Sequence, residues 1–435
     1  MKKLSLILAL IAIAGIYFAG CSDDDTNSTK PEPDTILKVV VLSQIDSSVI
    51  ANSNVVVYQA ETSQPVVRDL TDMFGACYFK LDEGNYYLEV SAQEYYPSPV
   101  PNVTPVPFFV SFQDTTAQIR YLDFNTAESL GYIEGKVEPP AANFLLIAEN
   151  SGDLNSYSGV TGPDGYFVLY NLPYGTYDVK AYKAGYQQVG SVTSVLSIGT
   201  AQSDSVTVQV QEYAGSSMSG SLSFIAGAEA KLTDLVLRDP KTMSIIPGMS
   251  VTTDSTNSYS FEKIPDGEFI LWASLKNDRN VMDPDKNLGG IDVRFPDDNG
   301  LDKSIDITGA ITITSPTNPA DSIYAFMAGS QNPTFTWIKE SSYSSAKEFI
   351  IEVRAMNGVK IWGGFDENGV VQHVQIPGGD TSFQYPLTAP PLISGEVYQW
   401  KIYADNDAAL NVQGLLSSSE DLTGIFQVPV PVLKK

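Results

Sequence analysis

The segment Leu172-Pro173-Tyr174-Gly175-Thr176-Tyr177 joins a turn to an extended run of residues, and the chain contains three versions of it. Its counterparts are Leu81-Asp82-Glu83-Gly84-Asn85-Tyr86 and Ile264-Pro265-Asp266-Gly267-Glu268-Phe269. After each glycine, an apolar or aromatic residue stands at every second position. Side chains of a strand alternate between its two faces, so this spacing predicts a half-buried strand after each glycine. Gly84, Gly175 and Gly267 are 91 and 92 residues apart, which predicts three copies of one unit.

A second turn precedes each of these segments. The three turns are Thr71-Asp72-Met73-Phe74-Gly75, Thr161-Gly162-Pro163-Asp164-Gly165 and the more divergent Thr252-Thr253-Asp254-Ser255-Thr256-Asn257. Asp, Asn and Gly accept the tight or left-handed backbone that joins two strands. Apolar and β-branched runs lie further upstream, such as Val55-Val56-Val57-Tyr58 and Phe144-Leu145-Leu146-Ile147. The pattern predicts an all-β fold of tandem antiparallel Greek-key β-sandwiches.

The second unit carries a family resemblance. Its turn and strand segments, together with Ala184-Gly185-Tyr186, resemble the carboxypeptidase-regulatory-like domain, a transthyretin-like sandwich. The first unit matches through Leu81, Gly84 and Tyr86, and the third keeps only the strand around Gly267. Modules of that family are non-catalytic and pack beside an enzyme or space it from a surface. The resemblance therefore implies a scaffold or binding role.

The C-terminal region has a different pattern. It contains Pro333-Thr334-Phe335-Thr336-Trp337, Phe349-Ile350-Ile351-Glu352-Val353-Arg354-Ala355 and Tyr398-Gln399-Trp400-Lys401-Ile402-Tyr403-Ala404. These segments resemble a fibronectin type III domain, and the resemblance implies that Trp337 and Tyr398 pack across its core. Alternation independently predicts that Phe349, Ile351 and Val353 share one face.

The N-terminus has the three parts of a secretory signal: Lys2 and Lys3, an apolar run from Leu4 to Phe18, and small residues before Cys21. Phe18-Ala19-Gly20-Cys21 resembles the lipobox of bacterial lipoproteins, although the family usually carries Leu where this chain has Phe18. The resemblance implies cleavage before Cys21 and acylation of its thiol. The acidic residues that follow resemble the signal that sends some Gram-negative lipoproteins to the outer face of the outer membrane. An ordinary signal peptide with a stray cysteine is the alternative.

These patterns give an expected division of the chain. The segments are a signal peptide (1–20), a disordered acidic tether (21–35), carboxypeptidase-regulatory-like sandwiches 1 and 2 (36–128 and 129–213), a divergent third sandwich (214–308) and a fibronectin type III-like sandwich (309–435). The expected location is the outer membrane, with the protein lipid-anchored there and facing the cell exterior.

Composition restricts the class of function. The formal net charge is −25, which argues against a nucleic-acid partner. The chain has one histidine, His373, in an alternating stretch typical of a strand. The sequence also lacks the set of ligands that a zinc site needs. No catalytic residue is predicted, although abundant carboxylates leave sugar hydrolysis open.

Two groups of residues are candidate binding sites. Asp278, Asp283, Asp285 and Asn287 gather the oxygen ligands that calcium prefers, but their spacing differs from the EF-hand pattern, so a plain hydrophilic loop is the alternative. Trp272, Tyr182 and Trp362 are candidate ligand-binding aromatics, unless a neighbouring module covers them.

A functional expectation follows from the anchor, the repeats and the scarcity of catalytic residue types. The leading hypothesis is a non-enzymatic surface lipoprotein that acts as a structural, adhesive or ligand-binding scaffold, with a protein ligand as one kind of partner. The alternative is a carbohydrate-capture lipoprotein of a glycan-uptake system that uses Trp272 and Trp362 as platforms. A calcium-assisted hydrolase is the third hypothesis.

Overall fold

The chain folds almost entirely into β-strands. A computed structural model describes residues 36–99, 107–112, 115–125, 130–152, 155–197, 202–274, 279–287, 290–317, 326–327, 331–340, 343–355, 360–366, 369–372, 376–394, 397–406, 414–420 and 423–429. Within these ranges no helix has the length and apolar character needed to cross a membrane. The predicted all-β sandwich class is confirmed.

Four groups of strands follow one another along the chain, and we call them modules 1 to 4. Module 1 contains β1 (Ile36–Ser43), β2 (Asn54–Gln59), β3 (Pro65–Leu70), β4 (Ala76–Lys80), β5 (Gly84–Ser91), β6 (Phe108–Val110) and β7 (Thr115–Leu122). Module 2 contains β8 (Leu130–Glu138), β9 (Leu145–Asn150), β10 (Ser156–Val160), β11 (Tyr166–Pro173), β12 (Gly175–Tyr182), β13 (Tyr186–Gln188), β14 (Val192–Leu196) and β15 (Ser203–Glu212).

Module 3 contains β16 (Ser216–Phe224), β17 (Asp234–Arg238), β18 (Ile245–Thr252), β19 (Ser258–Ile264), β20 (Gly267–Ser274), β21 (Asn280–Met282), the short helix α1 (Pro284–Asn287), β22 (Ile291–Phe295) and β23 (Ile305–Gly309). Module 4 contains β24 (Ile313–Ser315), β25 (Phe326–Met327), β26 (Thr334–Trp337), β27 (Glu348–Ala355), β28 (Lys360–Gly363), β29 (Ile376–Pro377), β30 (Ser382–Gln384), β31 (Val397–Asp405), β32 (Leu415–Ser418) and β33 (Ile425–Gln427).

Modules 1 to 3 share one topology. The first sheet has the strand order β3-β2-β5-β6 in module 1, β10-β9-β12-β14 in module 2 and β18-β17-β20-β22 in module 3. The second sheet is β4-β1-β7 in module 1, and it gains a fourth strand as β11-β8-β15-β13 and β19-β16-β23-β21. The predicted strands β5, β12 and β20 begin at Gly84, Gly175 and Gly267. The recurring glycines therefore mark equivalent strands, as the spacing predicted.

One strand pair in each of these modules departs from the expected antiparallel arrangement. The pairs β1–β7, β8–β15 and β16–β23 run parallel. The last long strand reaches this sheet after the chain has passed through the other sheet, so it can lie beside the first strand in the same direction. Alternation of side chains carries no information about strand direction.

The three predicted upstream turns have matching backbones. Gly75, Gly165 and Asn257 all have positive φ, at 68°, 76° and 61°. Each of these residues donates its backbone N–H to the carbonyl oxygen three residues earlier. Asn is one of the few residues other than glycine that adopts this conformation readily. The divergent third turn is thus the same turn with a different residue at its left-handed position.

One pair of facing core residues differs between the modules in how its volume is divided between the two strands. Gly135 pairs with Phe167 in module 2 and Gly220 pairs with Tyr259 in module 3, whereas the equivalent pair in module 1 is Val39 and Cys77. A large ring thus faces a glycine, and a small side chain faces a valine. Cys77 is a free, buried cysteine, and burial raises the pKa of its thiol to about 12.

Module 4 has its own core. Its sheets are β24-β26-β30 and a larger sheet built around β25-β33-β31-β27-β28. Trp337 and Tyr398 are both buried in one cluster, where Trp337 packs on Phe349 and Tyr398 packs on Phe426. The two residues therefore share a core, and the domain type stays a prediction.

Candidate functional site

The sequence-predicted site residues do not form one constellation. Cys21, Asp278 and His373 lie outside the described residues. Asp283 is buried, and its Oδ1 accepts the backbone N–H of Asp285 at 3.2 Å. The Oδ1 of Asp285 accepts the backbone N–H of Gly414 at 2.6 Å, which links module 3 to module 4. The carboxylate of Asp285 therefore holds a backbone amide of the next module.

Calcium binding at this loop stays a prediction. Asn287 ends helix α1, and its side chain is outside the described part of the chain. Within that part, no group of three or more His, Cys, Asp or Glu side chains is arranged to hold a metal ion. The carboxylates of Asp283 and Asp285 hold backbone amides of the loop and of module 4 instead.

Trp362 lies in the core of module 4. It is 5% exposed, stacks on Phe383 at a centroid distance of 5.8 Å and meets Tyr385 edge to face. A platform for a sugar ring needs a free ring face, so the position of Trp362 does not support that role. Sequence alternation could not distinguish this packed indole from an exposed one.

Tyr182 lies where module 2 meets module 3. Its ring contacts Phe269 edge to face at 5.4 Å, and it packs against the buried cluster that forms the core of module 3. Burial is the largest cause of the raised pKa of its hydroxyl. Tyr182 is therefore a contact between modules.

Trp272 lies on the outer face of the β17–β20 pair. It is paired with Val236 of β17, and Ile270 is the preceding residue of β20 on the same face. Arg238 lies over its indole ring at 5.3 Å, a cation–π contact. Val236 and Ile270 are buried, at 2% and 8% exposure, although they point away from the core of module 3. This outer face is consequently covered for most of its width, and Trp272 stays half-buried at its margin.

A recess lies beside this face on module 1. Tyr58 and Tyr87 are paired across β2 and β5, and their rings stack at 4.9 Å with an interplanar angle of 4°. Glu89 lies two residues further along β5 on the same face, and the nearby Tyr58 hydroxyl acts on the pKa of its carboxyl. Solvent reaches the Glu89 side chain, yet burial by the surrounding protein raises the pKa of its carboxyl. The surface around Glu89 is therefore partly enclosed by protein.

Module 3 forms the opposite side of this recess. Burial raises the pKa of the Tyr87 hydroxyl, and the positive charge of the nearby Arg238 partly opposes this rise. The Gly248 backbone N–H donates to Gln64 Oε1 at 2.7 Å. The Nε2 of Gln64 is buried and has no hydrogen-bond partner among the described residues. Two tyrosines, a carboxylate and an amide donor on module 1 thus adjoin Arg238 and Trp272. We call this group the aromatic recess.

The equivalent surface of module 2 has different chemistry. Tyr58, Tyr87 and Glu89 correspond to Glu149, Asp178 and Lys180. Lys180 pairs with both carboxylates there, and Lys241 of module 3 also pairs with Glu149. On this surface of module 2 the opposite charges neutralise one another. On the surface of module 1, no salt bridge to Glu89 is found among the described residues. The stacked tyrosines and Glu89 of module 1 therefore have no counterpart on the equivalent surface of module 2.

The junction of modules 1 and 2 centres on Asn171. This residue has φ of 60° at an irregularity in β11. Its Nδ2 donates to the carbonyl oxygens of Ala92 at 2.9 Å and Tyr95 at 2.8 Å, and its Oδ1 accepts the Glu94 backbone N–H at 2.8 Å. Glu94 is also left-handed, with φ of 69°. One side chain thus satisfies three backbone groups of the neighbouring module.

The junction of modules 2 and 3 repeats this geometry. Gly185 corresponds to Glu94, and Lys263 corresponds to Asn171 in its place before an apolar residue and a proline. Both are left-handed, with φ of 76° and 59°, and the Gly185 N–H donates to the Lys263 carbonyl at 2.8 Å. The same two positions therefore join successive modules, through a side chain in one case and the backbone in the other.

Apolar contacts reinforce these junctions. Val56 of module 1 and Leu145, Ile147 and Val160 of module 2 belong to the same buried cluster as the core of module 3. Module 4 is tied on by the Ser417 hydroxyl, which donates to the Gly309 carbonyl at 2.6 Å, and by the Arg279 N–H, which donates to Glu420. Each module is thus fixed to the next by buried or charged contacts.

Comparisons with known proteins give only distant likenesses. No family model matches the chain, and no curated protein matches it. Among solved structures, the chain is similar to the Bacillus anthracis TIE protein, with 16% identity over 64% of this chain and a TM-score of 0.18. The match covers 51% of that protein, so this chain spans about half the length of that relative.

Two pilin structures show comparable likeness. The streptococcal ancillary pilin is 12% identical over 62% of this chain and 98% of that one, with a TM-score of 0.20. BcpA, the major pilin subunit of Bacillus cereus, is 11% identical over 63% and 99%, with a TM-score of 0.17. Similarity at this level carries no functional argument.

Proposed function

We propose that the protein is a non-enzymatic lipoprotein of the cell envelope that serves as a rigid multi-module scaffold on the outer membrane. The observation that carries the scaffold role is the repeated junction, in which Asn171 and Lys263 join successive modules at equivalent places. Interfaces with several hydrogen bonds and shared apolar clusters hold modules in fixed positions, which suits a structural or adhesive role. The lipobox-like sequence before Cys21 supports the anchored location.

The anchor is tested by replacing Cys21 with alanine in cells that export lipoproteins. We expect the parent protein to incorporate an alkyne-labelled fatty acid, to fractionate with the outer membrane and to be digested by protease added to intact cells. The Cys21→Ala variant is expected to lose the label and the membrane association. The Cys77→Ala variant is the matched control and should keep both. Membrane association that persists without label in Cys21→Ala would contradict lipid anchoring.

A carbohydrate-capture role is the second candidate, and the aromatic recess favours it. Tyr58, Tyr87 and Trp272 are half-buried, so the ring surface that the tyrosine stack and Arg238 leave uncovered can contact a sugar. Glu89 and Arg238 can bind its hydroxyl groups. Titration of xylan, mannan and glucan oligosaccharides into the protein, followed by isothermal titration calorimetry, tests this candidate. Binding that weakens about ten-fold in Trp272→Ala, and is unchanged in a Val195→Ala control on an exposed strand, is the supporting result. Equal binding by parent and Trp272→Ala would reject the recess.

A further inference from the structure

The outer face of the β4-β1-β7 sheet in module 1 is defined by strand register. Residues paired with one another across β1, β4 and β7 point to the same side. Leu37, Val39 and Val41 point into the core. Apart from the buried Ala76, the opposite side consists of Ile36, Lys38, Val40 and Leu42 from β1, Tyr78 and Lys80 from β4, and Thr115, Ala117, Ile119 and Tyr121 from β7. We call these ten residues the module 1 face.

This face is apolar and exposed. Tyr78, Ile119 and Tyr121 are 56%, 53% and 48% exposed, and they lie on both sides of the partly exposed Val40 and Leu42. Met73 and Phe74 in the turn before β4 are also exposed. Monomeric proteins rarely expose contiguous apolar patches larger than a few hundred Å², and such patches mark interaction surfaces.

The charge of the face is opposite to that of the whole chain. The protein has 51 acidic and 26 basic residues, yet the ten positions include two lysines and no acidic residue. Lys38 lies over the ring of Tyr78 at 5.6 Å, so its aliphatic stem covers apolar surface while its ammonium group stays near solvent. The face is therefore a basic and aromatic surface on an acidic protein.

Equivalent faces of modules 2 and 3 lack this character. In module 2 the corresponding Val168 is 3% exposed, between Tyr166, over which Arg68 of module 1 lies, and Tyr170, which donates to the Asn52 carbonyl. In module 3 the corresponding positions on β16 and β19 include Ser219, Ser221 and Ser260. One face is thus covered and another is polar, and only the module 1 face combines exposure with apolar residues.

We propose that the module 1 face lies against a phospholipid surface. Tyrosine and lysine are residue types that gather at the boundary between lipid and water. The face also adjoins the start of the folded region, because Ile36 opens β1, the central strand of this sheet. Cys21 lies fifteen residues earlier, a contour of at most about 50 Å. This last step depends on the proposed lipid attachment, which would hold the face within reach of the bilayer.

A second copy of the chain fits the face less well. In a symmetric pair of copies, Lys38 of one face would meet no acidic residue among the face residues of the other. A bilayer containing anionic lipid provides both an apolar layer and the complementary charge.

Vesicle flotation tests this assignment without the acyl chain. The mature chain carrying Cys21→Ala is mixed with vesicles of phosphatidylcholine, or of phosphatidylcholine with phosphatidylglycerol. We expect it to float with both and more strongly with the anionic vesicles. Ile119→Ser/Tyr121→Ser should weaken partitioning at least about ten-fold, since each buried apolar side chain contributes a factor of that order. Lys38→Gln/Lys80→Gln should remove the preference for phosphatidylglycerol.

Leu387→Ser is the matched control, because Leu387 is an exposed apolar residue of module 4, and it should float like the parent. Thermal melting confirms that every variant is folded. Absence of flotation by the parent, or equal flotation by Ile119→Ser/Tyr121→Ser, would overturn the assignment, as would a dimer in sedimentation that this variant abolishes. Because the tested chain is unacylated, failure here leaves fatty-acid labelling of Cys21 intact, and failed labelling leaves this result intact.

Discussion

Gly220→Ala is expected to destabilise module 3 by about 3 kcal/mol, near the upper end of the usual cost of overpacking a core. Gly220 lies on β16, and a Cβ there would overlap the backbone carbonyl oxygen of Lys303 and come within 2.6 Å of the Tyr259 hydroxyl oxygen. That hydroxyl donates to the same carbonyl. Neither backbone nor ring can withdraw without loss of this hydrogen bond or of the β16–β23 pairing. Urea denaturation followed by circular dichroism measures the change in free energy of unfolding.

Gly379→Ala is the control for this prediction. Gly379 has open space around its Cβ position and no positive φ, so the substitution should change stability by less than about 1 kcal/mol and can be stabilising. Gly135→Ala should resemble Gly220→Ala, because its Cβ would overlap the Val206 carbonyl oxygen. Equal midpoints for Gly220→Ala and Gly379→Ala would show that the close strand approach in module 3 is wrong.

Asn171→Gly is expected to uncouple module 1 from module 2. The substitution removes three hydrogen bonds between the modules, each contributing about 1 kcal/mol net, while glycine keeps the left-handed backbone of this position. The Ala92 and Tyr95 carbonyls and the Glu94 N–H then depend on water. Scanning calorimetry should show a separate transition for module 1 at lower temperature than in the parent.

Asn52→Gly provides the matched comparison. Asn52 has φ of 57° and is exposed, so the same substitution at a similar backbone conformation leaves the hydrogen bonds of the junction in place. The free energy of unfolding of Asn52→Gly should lie within about 0.5 kcal/mol of that of the parent. A parent-like calorimetric trace for Asn171→Gly would mean that the junction contributes nothing to the cooperation of the two modules.

Strand positions could be predicted well because they depend on local pattern. Period-two alternation and a glycine placed β5, β12 and β20, and the upstream turns located the left-handed positions at Gly75 and Gly165. Strand direction could not be predicted in the same way, because a strand that joins its partner in parallel has the same alternation as an antiparallel one. The parallel β1–β7 pair is the clearest example.

The candidate site depended on information that local pattern lacks. Alternation put Trp272 on an outward face, but what approaches that face is set by other modules through residues such as Arg238 and Tyr87. Trp362 was expected to be accessible, although its indole fills the core of module 4. Asn171 was missed because its partners lie about eighty residues earlier. Its one local signal is an Asn before Leu-Pro where the third unit has Lys263.

Small-angle X-ray scattering of the mature Cys21→Ala chain tests most directly whether the modules form one fixed body. The repeated junctions and the shared buried cluster predict a profile that a single arrangement of modules 1 to 4 reproduces. A profile that requires an ensemble of independently oriented modules would contradict the rigid scaffold.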